Sequence, residues 1–292
     1  MVRKHWHWRT AHAIIGAIHL AFQECRLMPQ FLCVGVPYFI GERIEARTEV
    51  ARLRENDFIQ EIGAEWVDLA PDFDRHDDPV VAVNQSLVET INRYPNHIPI
   101  VLAADCVSAI GTLRGLYRPD IGVVWYDAHG DFNTEETTPS GFLGGMPLAM
   151  LVGRGRQSIM QGVGLAPLPE EHIIITDARD LDPEEGENLR ASKLVHLPDI
   201  EDLMTAPLPA GPIYIHLDVD VVDPAEIGGM SYPAPGGPSI ETTARTLERV
   251  AREGQVVGLL ASLWNEALAE DDQPLEGTLA LLRAFVRGMD DG

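Results

Sequence analysis

Six short apolar runs punctuate the chain: Phe31–Val36, Ile98–Ala103, Ile121–Trp125, His172–Ile175, Ile213–Leu217 and Val256–Leu260. Each is rich in β-branched residues, is bounded by turn formers, and is almost continuously apolar rather than alternating. That pattern marks strands covered on both faces, as in a parallel sheet. Helix-length segments of mixed polarity separate them, at Val80–Asn92, Val107–Leu116, Pro183–Arg190 and Ile240–Arg252, and Gly277–Arg287 reads as a closing helix. Ser239 stands where an N-cap for the fourth of these belongs. Strands alternating with helices predict βαβ units with right-handed crossovers, and so an α/β domain built on a mostly parallel sheet. No internal repeat or low-complexity linker interrupts the pattern. The expected organisation is an N-terminal extension over residues 1–30 and a single domain over 31–292.

Charge narrows the partners. Forty-five acidic against 22 basic residues give a formal net charge of −23. Such a body repels phosphate backbones and anionic bilayers, which argues against nucleic-acid or membrane binding and favours cations. Cys25, Cys33 and Cys106 form a sparse, odd set without a CxxC pair, as expected in a reducing, cytoplasmic setting. No apolar stretch is long enough to span a bilayer. Arg3, Lys4 and Arg9 before Ala13–Ile18 imitate the outline of a secretory leader. His19 interrupts that run, however, and Gln23-Glu24-Cys25 occupy the place of a small-residue cleavage site. The segment therefore reads as a packing helix or as sequence upstream of the functional start. His5, His7, His12 and His19 fit a solvated stretch better than a metal site.

The unusual residues collect at strand ends, where ligands bind in parallel α/β sheets. The run Gly122-Val123-Val124-Trp125-Tyr126 leads into Asp127-Ala128-His129-Gly130-Asp131. Ligands at i, i+2 and i+4 share one face while the chain stays extended. Ile213–Leu217 ends in Asp218-Val219-Asp220, and Ile98–Ala103 in Ala104-Asp105-Cys106. A single Asp at a strand end is ordinarily a cap or a turn former. Several carboxylates and a His together repel one another unless cations lie among them. A carboxylate-rich set with one imidazole suits Mn²⁺ more than Zn²⁺, and shared Asp residues let two ions sit about 3.5–4 Å apart. Residue chemistry alone thus indicates a dinuclear metal hydrolase.

Asp127-Ala128-His129-Gly130-Asp131-Phe132-Asn133-Thr134 with Thr138-Pro139-Ser140-Gly141, followed by Asp218-Val219-Asp220 and Asp223-Pro224, resembles the signatures of the arginase/agmatinase/formimidoylglutamase (ureohydrolase) family. The likeness runs from Val34-Gly35-Val36-Pro37 to the C-terminus. It implies a three-layer α/β/α fold, two Mn²⁺ ions, a small guanidino substrate, and a homo-oligomer, trimeric or hexameric. By position, Asp127 and Asp218 would bridge the ions, His129 and Asp220 would complete one, and Asp131 with Cys106 the other. Asp131 would also hold the bridging hydroxide that attacks the guanidino carbon and pass its proton to the leaving group, releasing urea or an analogue. Asn133, Thr138 and Ser140 match positions that meet an α-carboxylate, and Asp182 in Arg179-Asp180-Leu181-Asp182 matches one that meets an α-amino group. Asp180 and Asp182 equally suit caps for the helix starting at Pro183.

The chain departs from that pattern at three places. Cys106 stands where the family has His. Gly144, in Ser140-Gly141-Phe142-Leu143-Gly144-Gly145-Met146-Pro147, replaces a proton-shuttling His, and Phe142 replaces an Asn. Leu263 replaces the Glu that holds a guanidinium, with Glu266 three residues on. The Cys-for-His and Gly-Gly-Met pattern is similar to the hydroxyarginine hydrolase branch of D-cycloserine biosynthesis. An N-hydroxyguanidine is less basic than a guanidinium and needs less help from a pairing carboxylate or an added shuttle. Two other readings compete: a metal-binding but catalytically impaired homologue with a regulatory or assembly role, and a hydrolase of another C–N bond. The Thr138–Gly141 segment weighs against the deacetylase version of the latter.

Overall fold

The computed structural model describes residues 29–292, so the N-terminal histidines, Cys25 and the leader-like run lie outside the described residues. Ten strands are present among them: β1 (Phe31–Val36), β2 (Tyr38–Phe39), β3 (Glu42–Arg43), β4 (Glu65–Asp68), β5 (Ile98–Ala103), β6 (Gly122–His129), β7 (Ile173–Asp180), β8 (Val195–Leu197), β9 (Pro212–Asp218) and β10 (Gln255–Ser262). Eight of them form one sheet in the order β4-β1-β5-β10-β9-β6-β7-β8, and every neighbouring pair in it is parallel.

Burial on both faces explains why the six apolar runs became strands. Leu32, Val34 and Val36 of β1 point into one core, while Phe31 and Cys33 point into the other. Helices Pro79–Arg93, Ala109–Leu116, Pro147–Leu151 and Ser158–Val163 contribute to the first core, and Glu49–Glu55, Ile240–Glu253 and Gln273–Asp291 to the second. The result is the three-layer α/β/α arrangement. Helix Ile240–Glu253 shows how sequence dictates packing: Thr243, Thr246, Leu247, Val250 and Ala251 make a buried stripe at helical spacing. Its start is fixed by Ser239, whose side chain accepts a hydrogen bond from the Thr242 amide at 3.1 Å.

The structure departs from the sequence reading at the margins. β4 and β8 are short edge strands of mixed polarity, Glu65-Trp66-Val67-Asp68 and Val195-His196-Leu197, which carry no continuous apolar signal. β6 and β7 run past their apolar stretches, to His129 and Asp180. The closing helix begins at Gln273 rather than Gly277.

Strand order positions the site. β5, β10, β9 and β6 are the four central strands, and all four end at the same sheet edge. Cys106, Asp127, Asp218 and Ser262 lie at those ends, although 156 residues separate the first from the last in sequence.

Candidate metal centre

A cavity of about 560 Å³ opens at this edge. Its lining includes all of Cys106, Asp127, His129, Asp131, Asp218 and Asp220, together with Asn133, Thr138, Ser140 and Asp182. The fold therefore brings every one of the singled-out residues to one hollow.

Local structure explains each placement. Asp105 caps the turn after β5, accepting from the Ser108 amide at 3.0 Å and the Ile40 amide at 2.6 Å, and so presents Cys106 inward. The Cys106 Sγ lies 2.9 Å from Asp218 Oδ2 and 3.3 Å from Ser262 Oγ. On β6, Asp127 accepts from the Trp125 indole N–H at 3.1 Å and from the His129 amide at 2.7 Å. The His129 Nδ1 lies 3.0 Å from Asp220 Oδ2 and 3.4 Å from Asp127 Oδ1. Asp131 adopts φ 49°, a left-handed conformation uncommon outside glycine. It is pinned there by its neighbours: its carbonyl accepts from the Ala149 amide, the Phe132 amide donates to Glu185, and the Asn133 amide donates to the Gly145 carbonyl. Strain of this kind persists only where surrounding bonds over-determine it.

Electrostatics favour a bound cation. Burial, reinforced by the charges of Asp127 and Asp218, pushes the Asp131 carboxyl well above the ordinary carboxylate range. Burial and then the charge of Asp220 raise Asp218 to about 7, opposed by hydrogen bonds from Cys106, the Asp220 amide and Ser262. Burial alone would lower the His129 imidazole, but its bonds to Asp127 and Asp220 outweigh that and push it up to about 12. The carboxylates thus repel one another, and a positive charge among them would relieve that repulsion.

The donor atoms form two groups. Cys106, Asp127, Asp131 and His216 each offer one atom within 4.8 Å of the others, and so do Asp127, His129 and Asp220, with Asp127 common to both. Asp131 Oδ2 and His216 Nε2 are buried without a hydrogen-bond partner. Free lone pairs in an anionic pocket are what a pair of divalent ions requires, and the residues fit such a pair. His216 escaped the sequence reading because it sits inside an apolar strand. Its one signal was its position two residues before Asp218, and so on the same face.

The three departures also take physical form. A Cβ added at Gly144 would meet the Phe142 ring at 2.3 Å, so that aromatic ring fills the space a side chain at 144 would need. Leu263 lines the cavity. Glu266 turns away from it, bonded to the Trp264 indole at 2.7 Å and to Arg52 at 2.6 Å. Asp182 does cap its helix, in a reciprocal pair with Glu185, and also accepts from the Asn133 side chain at 3.0 Å. Thr138 and Ser140 hold their hydroxyls 3.3 Å apart at the exposed mouth. The rim after β9 is shaped by Gly228, Gly229, Gly236 and Gly237, all at positive φ.

A parallel α/β/α domain with Asp, His and Cys side chains converging at its central strand ends is a metal-site hydrolase scaffold. Comparison with known proteins narrows this: the model of the Arginase family matches residues 42–259, and the chain belongs to that family. It is 35% identical over 191 residues to an arginase of Bacillus subtilis (strain 168), covering 60% of this chain and 64% of that protein. It is 32% identical over 251 residues to an arginase of Brevibacillus brevis, covering 75% and 84%. The matches to the first relatives span just under two thirds of their length or less, at 64%, 65% and 49%. Among solved structures, an arginase from Bacillus subtilis superposes with a TM-score of 0.78 at 26% identity, over 88% of this chain and 98% of that one. A formimidoylglutamase from Bacillus subtilis shares the fold, with a TM-score of 0.68 at 16% identity, over 91% and 89%.

Proposed function

We propose that the chain is a two-manganese amidinohydrolase that cleaves a C–N bond of a guanidino or N-hydroxyguanidino group on an arginine-like amino acid, releasing urea or a urea analogue. The observation that carries this reading is the convergence of Cys106, Asp127, His129, Asp131, Asp218 and Asp220 on one cavity, where burial and mutual repulsion raise the Asp131 and Asp218 carboxyls. A bound metal pair supplies Lewis acidity and lowers the pKa of water.

The protein's own groups do the rest. Asp131, buried and with Oδ2 unpaired, holds the attacking water by a hydrogen bond and passes its proton to the departing amine. Thr138, Ser140 and Asn133 receive the substrate carboxylate at the mouth, and Asp182 receives the amino group. Leu263 and the Phe142 ring leave the guanidine end without a pairing carboxylate. That wall suits the less basic N-hydroxyguanidine better than a guanidinium, whose charge would be desolvated unpaired. On family likeness we take the working assembly to be a trimer or hexamer. The free, buried Cys33 and Cys106 suit a cytoplasmic setting.

Turnover of arginine, agmatine and N-hydroxyarginine by the manganese-loaded protein tests the reading. The expected order places N-hydroxyarginine first by about tenfold or more, because a guanidinium would be desolvated there without a pairing carboxylate. Two bound ions with no turnover of any of the three would instead mark a catalytically impaired homologue.

A further inference from the structure

His216 lies beneath the floor of the pocket, with a ring nitrogen beside the donor atoms of Cys106, Asp127 and Asp131, and neither the sequence motifs nor the proposed chemistry uses it. It is wholly buried, and its ring stacks on Trp125 with centroids 3.5 Å apart and planes at 12°. The pairing follows from register, since Trp125 and His216 are direct neighbours across β6 and β9. Its Nδ1 lies 3.4 Å from the Tyr214 hydroxyl, and its Nε2 has no partner. A buried polar atom left unpaired is costly, so it asks for an explanation. A ring nitrogen of His216 lies within 4.8 Å of donor atoms of Cys106, Asp127 and Asp131.

We propose that His216 is a metal ligand, giving its Nε2 to the ion that Cys106, Asp127 and Asp131 surround. The imidazole absent at position 106 is thereby supplied from β9, two strands across the sheet from β5, and each ion of the pair has one, His129 and His216. The Tyr214 hydroxyl accepts from Nδ1–H and fixes the tautomer, as partners behind ligating histidines do. Trp125 holds the ring by stacking and also bonds to Asp127, which ties two ligands to one rigid indole. Borderline imidazole also offsets the softness of the Cys106 thiolate and keeps the donor set suited to Mn²⁺. The proposal rests on the reading of the site as a two-ion centre.

Manganese K-edge X-ray absorption on the intact holoprotein counts imidazoles directly by their multiple scattering. Two per manganese pair are expected, falling to one in His216→Gln. Equilibrium dialysis should show one of the two ions bound more than about tenfold more weakly in that variant. A single imidazole per pair in the unaltered protein overturns the assignment and leaves the two-ion reading standing, whether or not the variant folds. A spectrum and affinity unchanged by His216→Gln overturns it as well. Failure of the unaltered protein to bind two ions overturns both.

Discussion

Stripping divalent ions from the protein should make its stability fall as pH rises, against the usual behaviour of a carboxylate-rich protein. The Asp218 carboxyl, ordinarily near 3.8, stands at about 7 in the folded chain because it is buried and faces Asp220. A carboxyl raised on folding keeps its proton while the unfolded chain loses one, so stability declines from about pH 4 to pH 7. At about 1.4 kcal/mol per pH unit, Asp218 alone accounts for about 4 kcal/mol across that interval. His129 acts in the same direction. Its stabilisation is complete below its ordinary 6.5 and is lost as pH climbs toward about 12. Glu170 opposes this, held low by the Lys193 amide and by Arg154 in spite of slight burial, but its contribution is already complete above its ordinary 4.5 and so is constant from pH 5 upward. Denaturant unfolding of chelator-treated protein at pH 5, 6, 7 and 8 reads the effect. The midpoint should drop steadily, and saturating Mn²⁺ should restore more stability at pH 8 than at pH 5. Manganese at a hundredfold excess over its Kd adds about 2.7 kcal/mol. A metal-free protein equally stable or more stable at pH 8 than at pH 5 would refute the reasoning.

Three further outcomes are expected. Cys106→Ser should weaken Cd²⁺ binding by about tenfold or more and Mn²⁺ binding less, because thiolate is the softer donor; loss of the ultraviolet thiolate-to-Cd²⁺ band in a competition titration checks this. Gly144→Ala forces a Cβ into the Phe142 ring and should cost about 1–3 kcal/mol, and the double variant with Phe142→Ala should recover most of it in a thermal double-mutant cycle. Arg179→Met removes the partner of buried Asp177 and the donor to the Asp220, Val221 and Ala234 carbonyls. A loss of about 3–5 kcal/mol is expected by denaturant unfolding, reduced when Asp177→Asn is added.

The six core strands were legible because each is buried on two faces, which leaves few polar residues to disguise it. β4 and β8 were not, since an edge strand has half the neighbours and its residues answer to solvent as well as to the sheet. Asp127 and His129 could be read from spacing, because a strand imposes a period of two, whereas Asp131 and Asp220 lie just past the ends of β6 and β9, in a left-handed residue and a 3-10 turn, and were legible only as carboxylates gathered at strand ends. His216 obeys the same period but lies one step inside the apolar stretch, where a lone histidine reads as part of the core. Only the three-dimensional register, with Trp125 beside it and Cys106 across from it, separates the two. The fate of Gly144 was likewise hidden, for nothing in a linear motif says that the Phe142 ring folds back over it.

The strand order has a further consequence for biosynthesis. β5 and β6 follow one another along the chain, yet the two strands that join them in the sheet, β9 and β10, come almost last. A nascent polypeptide emerging from the ribosome therefore carries two long apolar ladders with open hydrogen-bonding edges until residue 262 is free to close the gap. Such edges invite pairing with other chains. The side chains at the ends of β5 and β6 therefore meet those at the end of β9 only after β10 has been made and takes its place between β5 and β9.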